Sequence, residues 1–72
     1  MQNVTFELTG EFIALNDLLK VAGVADSGGA GKALVASGLV RVDGKPESRK
    51  TCKIRAGQIV SLDGVRIKVV GA

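Results

Sequence analysis

Two stretches of this chain place residues in patterns that could do chemistry, and both are suited to holding anions. The first is Ser27-Gly28-Gly29-Ala30-Gly31-Lys32. A nucleotide-binding phosphate loop needs a glycine five residues before its Gly-Lys pair and a hydroxyl residue after the lysine. Here Asp26 and Ala33 occupy those positions, so the loop chemistry fails. A dinucleotide fingerprint fails as well, because Leu34 stands where the third glycine belongs and 72 residues cannot supply the wider fold. What survives is simpler: a helix start offers free N–H groups and positive dipole, glycine permits close approach, and Lys32 adds a point charge.

The second stretch is Arg49-Lys50-Thr51-Cys52-Lys53-Ile54-Arg55, with Arg41 and Lys45 on the preceding segment. Four cations within seven residues repel one another unless an anion relieves them. Residues 1–40 hold two cations against four acids, a net −2, whereas residues 41–72 hold eight against three, a net +5. That asymmetry, with a pI near 9.4, is the footprint of a polyanion partner, although a solvated basic face would also produce it.

Other chemistry is poorly supplied. With no His and one Cys the chain lacks the ligands for a zinc site and cannot form an internal disulfide. Cys52 reads as a small buried or half-buried apolar residue rather than a nucleophile. Asp43, Glu47 and Asp63 fall at turn positions, where acids are common for conformational reasons. The expectation is therefore no catalytic residue, no metal, no cofactor and no enzymatic activity. Phe6 and Phe12, the only aromatic residues, sit on apolar faces and read as core. A reader of single strands by stacking would need exposed rings, so the pattern favours recognition of RNA shape through phosphate contacts.

The elements that must position these residues are legible from periodicity. Asn3 to Leu8 alternates as a half-buried strand. Leu15, Leu18, Leu19 and Ala22 share one helical face, and Gly23 follows as a terminator. Ser27 is an N-cap for a second helix to about Ser37, with Ala30, Ala33, Leu34 and Ser37 or Val35 inward and Lys32 outward. Its glycines weaken the first turn by up to about 1 kcal/mol each, so that turn frays unless something orders it. A strand over Leu39–Asp43, the Asp43-Gly44 turn, a loop over residues 45–48 with Pro46 in a turn or at a sheet edge, the basic strand, and a hairpin over residues 58–70 turning at Asp63-Gly64 complete the chain. This order predicts one α+β domain over residues 1–72, two short helices packed on a small, mainly antiparallel sheet. Nothing in it predicts a signal peptide or a membrane span, and a cytoplasmic location is expected.

Leu15-x-x-Leu18-Leu19, Gly23, Ser27, then Lys32-Ala33-Leu34-Val35-x-x-Gly38-x-Val40-x-Val42-Asp43-Gly44 and Ala56-Gly57-Gln58-Ile59-Val60 resemble the RNA-binding domain of the ribosomal protein S-four type, the αL motif. The resemblance covers roughly residues 12–62. Glu47-Ser48-Arg49-Lys50-x-Cys52-Lys53-Ile54 and the small size resemble its stand-alone bacterial YbcJ-type members. The resemblance implies an RNA surface carried by Ser27, Lys32, Arg41, Lys45, Arg49, Lys50 and Lys53, to which the basic run adds Arg55. It also implies structured ribosomal or transfer RNA as partner, with the ribosome or RNA-associated proteins nearby, in RNA metabolism or translation. Many members carry Arg after the N-cap serine, where this chain has Gly28. A monomer without membrane contact is expected; the alternative is an adaptor whose basic face docks an acidic protein.

Overall fold

The computed structural model describes residues 2–71. In chain order the elements are β1 (Gln2–Leu8), β2 (Ile13–Ala14), α1 (Leu15–Val21), α2 (Gly28–Ala36), β3 (Arg41–Val42), β4 (Lys45–Pro46), β5 (Lys53–Ile54), β6 (Ile59–Leu62) and β7 (Val65–Gly71). Five strands form one sheet in the order β1-β7-β6-β3-β4, and β2 pairs with β5 in a separate two-stranded ladder. The fold is α+β, as the sequence predicts.

One face of the sheet is the inner one. Val60, Leu62, Ile67 and Val69 are buried there together with Leu15, Leu18 and Leu19 of α1 and Val35 of α2. The 3.6-residue spacing of the leucines gives α1 a single apolar stripe, which closes the core over the sheet. Pairing is mixed rather than wholly antiparallel. β1 runs parallel to β7 in the register Val4↔Ile67, Phe6↔Val69, while β6 pairs antiparallel with both β7 and β3. Parallel pairing follows from the long crossover: the helices and all the other strands separate β1 from β7, so no hairpin turn dictates their direction.

Three details depart from the sequence reading. Lys45–Pro46 forms a short edge strand rather than a loop, where the missing N–H of proline does no harm. The inner face of α2 is made by Gly31 and Val35 with Ala30 and Leu34 half-buried against the core, as expected, whereas Ala33 and Ser37 are exposed. Phe12 is 40% exposed instead of lying in the core.

The glycines of α2 also acquire a purpose. A Cβ on Gly31 would lie 2.6 Å from the backbone oxygen of Asn16, a distance real Cβ atoms essentially never show. Glycine is therefore what lets α2 cross α1 at this separation. The first turn of α2 is ordered from within, by that contact and by the Ser27 hydroxyl, which accepts from the Ala30 N–H at 3.1 Å.

Among the described residues no helix is long and apolar enough to cross a membrane. No group of three or more His, Cys, Asp or Glu side chains there could hold a metal ion.

Candidate nucleic-acid interface

The interface is built around Asn16, a residue the sequence reading passed over. The N-cap of α1 is Ala14, which has no side chain to cap with. The orphan N–H groups of the first turn are taken instead by the basic segment: Leu15 donates to the Cys52 carbonyl at 2.9 Å and Asn16 to the Lys50 carbonyl at 3.1 Å. Residues 50–52 are thereby strapped across the start of α1. The carbonyl of Asn16 meets Gly31, and its amide Nδ2 would lie 3.7 Å from a Cβ on Gly28. One buried residue thus joins the basic strap to the first turn of α2. Its Oδ1 is buried without a hydrogen-bond partner.

Against that junction α2 presents its own donors. Ser27 engages the N–H of Ala30 through its hydroxyl and that of Gly31 through its carbonyl. Among the described residues the N–H groups of Gly28 and Gly29 have no partner. Lys32 is exposed on the same helix. Two free N–H groups at a helix start, with lysines on the neighbouring strap, form a place for an anion.

Within the strap the cations are not equivalent. Arg49 donates to Glu47 through Nε and a terminal nitrogen, both at 3.0 Å, and its backbone N–H adds a third bond of 3.0 Å. The side-chain and backbone hydrogen bonds from Arg49 hold the Glu47 carboxyl down at about 2, well below its ordinary value. Arg49 is therefore a partly neutralised structural group as well as an exposed one. The Cys52 thiol stands 3.5 Å from Glu47 Oε1, and burial, followed by the charge of Glu47, pushes its pKa up. A half-buried thiol held above its ordinary pKa suits packing rather than nucleophilic attack. Glu47 does more than its expected turn role, since it fixes the strap. Among the described residues Lys50 and Lys53 have no acidic partner; Lys53 Nζ instead lies 4.9 Å over the exposed ring of Phe12.

The remaining predicted residues are dispersed. Lys45 stands opposite Val42 on the inner side of the edge strand, and Arg55 sits at a turn closed by Gln58, whose Oε1 accepts from the Arg55 N–H at 2.7 Å. Arg41 lies elsewhere. It pairs in register with Ser61, while its neighbour Val42 pairs with buried Val60. Side chains alternate along a strand, so Arg41 projects from the outer face of the sheet, away from the helices. The charge count could not separate these positions, because it carries no face information.

The comparisons agree with this architecture. The S4 domain family model matches residues 6–70, and the chain belongs to the S4 domain family. It is 50% identical over 58 residues to the Escherichia coli (strain K12) protein described as "Putative RNA-binding protein YbcJ", covering 81% of this chain and 83% of that protein. The YbcJ protein of Shigella flexneri matches with the same identity and coverage. The solution structure of Escherichia coli YbcJ, described as revealing an αL motif involved in RNA binding, superposes with a TM-score of 0.73. Its identity is 47%, over 93% of this chain and 86% of that one. The departure at Gly28 now has a physical setting: no side chain there covers the Asn16 amide or the free N–H groups.

Proposed function

We propose that this chain is a non-enzymatic RNA-binding module that holds structured RNA, ribosomal or transfer RNA, through phosphate-backbone contacts. The observation that carries the reading is the junction at Asn16, which donates to the Lys50 carbonyl of the strap on one side and lies against Gly28 and Gly31 of α2 on the other, so that the strap bearing Lys50 and Lys53 and the helix start with its free N–H groups flank one residue. Ser27 orders the helix start, and Lys32, Lys50 and Lys53 supply free charge. Arg49 contributes in part, because Glu47 already holds it. Lys45 and Arg55 lie at the margin and Arg41 acts from the far face. The sharing of the αL architecture with YbcJ supports RNA as the polyanion, and a role in RNA metabolism or translation follows from that partner.

The test is affinity for a structured RNA against single-stranded RNA and duplex DNA across a range of salt. Preference for structured RNA, with a log–log salt slope of about −3 to −6, is expected from several released counterions. Equal weak binding to all three would reduce the surface to a generic basic face and turn attention to acidic protein partners.

A further inference from the structure

The outer face of the sheet carries a second set of cations that lies apart from the αL junction. Ile67 and Val69 of β7 are buried, so Arg66 and Lys68 between and beside them project outward. The register sets Arg66 opposite Ser61, which is itself opposite Arg41, and sets Asn3 on the other flank of Arg66. One row across four strands therefore reads Arg41, Ser61, Arg66, Asn3. Lys68 adds a third charge two residues further along β7, with Thr5 beside it. Strand spacing puts the Arg41 and Arg66 backbones roughly 10 Å apart and those of Arg66 and Lys68 about 7 Å apart. Side chains of this length can converge on one anion or span two.

No acid among the described residues forms an ion pair with these cations. Glu7, level with Val70, is a diagonal neighbour of Lys68 at the end of the face but forms no ion pair with it. The Asp43 carboxylate accepts from the Ile59 N–H at 3.0 Å and from Gln58 Nε2 at 3.5 Å, so it is committed to the hairpin. A shallow groove of about 430 Å³ runs beside the row, lined by Asp43, Gly44, Ile59, Ser61 and Arg66.

We infer that this outer face is a second phosphate-binding surface, which takes the sugar-phosphate backbone of a further RNA segment while the αL junction holds the first. The inference rests on the RNA reading above and goes beyond it: the module would bridge two RNA segments on opposite sides of one sheet. The chemistry favours a nucleic-acid backbone over a protein. Protein interfaces depend on buried aromatic or aliphatic anchors, whereas the apolar side chains here, Ile59 and Val70, are half-buried and separated by Lys68. Asn3, Thr5 and Ser61 supply neutral hydrogen-bonding groups suited to phosphate and ribose.

The experiment is a titration of the full chain with a short RNA hairpin at low salt, read for stoichiometry and for two affinities. The wild type is expected to take up two hairpins. Arg66→Ser combined with Lys68→Ser should weaken the second event at least about tenfold and leave the first within about twofold, and Arg41→Ser, on a different strand, should weaken the same event. Circular dichroism checks that each variant is folded. One hairpin per wild-type chain, or two for the double variant with unchanged affinities, overturns the bridge while leaving the αL reading intact. No uptake by the wild type overturns both. A second event displaced by polyglutamate as effectively as by RNA of equal charge would mean an acidic-peptide surface and also overturns it.

Discussion

The helix-and-strap side and the outer sheet face are both basic, yet they are built in opposite ways. On the first, charge is attached to a tightly connected scaffold: the strap caps α1, Glu47 grips Arg49, and Gly31 lets α2 rest on Asn16. On the second, Arg41, Arg66 and Lys68 are aligned by strand register alone and, among the described residues, enter no ion pair. Preorganisation therefore belongs to one side and adaptability to the other. Substitutions at the strap's anchoring pair, Glu47 and Arg49, should perturb both fold and binding, whereas those on the outer face should alter binding only.

The sharpest way to break this comparison is to remove the core that both regions share. Leu18 is fully buried, and Leu18→Ala should cost about 2–5 kcal/mol by leaving a cavity, enough to threaten a domain whose total stability is on the order of 4–10 kcal/mol. Urea denaturation measures it directly. Gly31→Ala should destabilise by about 1–3 kcal/mol, because the new methyl must push α2 away from the Asn16 carbonyl. It should weaken RNA binding too, since the same movement separates Gly28 and Gly29 from the strap; an unchanged melting temperature would argue against so tight a crossing.

Charge substitutions should separate the members of the strap. Replacing Lys50 and Lys53 with Ala is expected to reduce RNA affinity at least about tenfold and to flatten the log–log salt slope by about 2, with little loss of stability, because exposed cations contribute little to folding. Arg49→Ala should reduce affinity less than either lysine change while lowering stability more, since it removes the two guanidinium donors of Glu47. A larger affinity loss for Arg49→Ala than for Lys53→Ala would show that Glu47 releases Arg49 when RNA binds.

The smallest effect should appear as pH dependence. The Glu47 carboxyl is depressed in the folded chain to about 2 from an ordinary 4.5. Its contribution is thus fully present above about pH 4.5 and is lost as the pH falls toward 2. Glu47→Gln should remove that part of the acid dependence, leaving the stability curve flatter in this window.

Much of the scaffold was legible because it depends on local periodicity and local turn chemistry. Alternation placed β1, spaced leucines placed α1, Ser27 marked the start of α2, and the Asp-Gly pairs at Asp43 and Asp63 marked both hairpins, where each aspartate adopts positive φ. The αL pattern likewise gave the fold class and the candidate cations. The errors concern residues whose environment is made by distant parts of the chain. Phe12 was expected in the core because it sits on an apolar face; its ring stands at the surface, with Lys53, forty-one positions later in the sequence, over it. Asn16 carried no signal, since an amide on a helix is unremarkable until Gly31 and Lys50 are brought against it.

By itself the sequence determined the two helices, the longer strands, the hairpin turns and the excess of positive charge in residues 41–72, because helix and strand periods, caps and turns act over a few residues. Tertiary structure alone decided the parallel pairing of β1 with β7, the capping of α1 by the strap, the partial neutralisation of Arg49 and the division of the cations between two faces. Each depends on which backbone lies beside which, and that is settled only when the whole chain closes on its core.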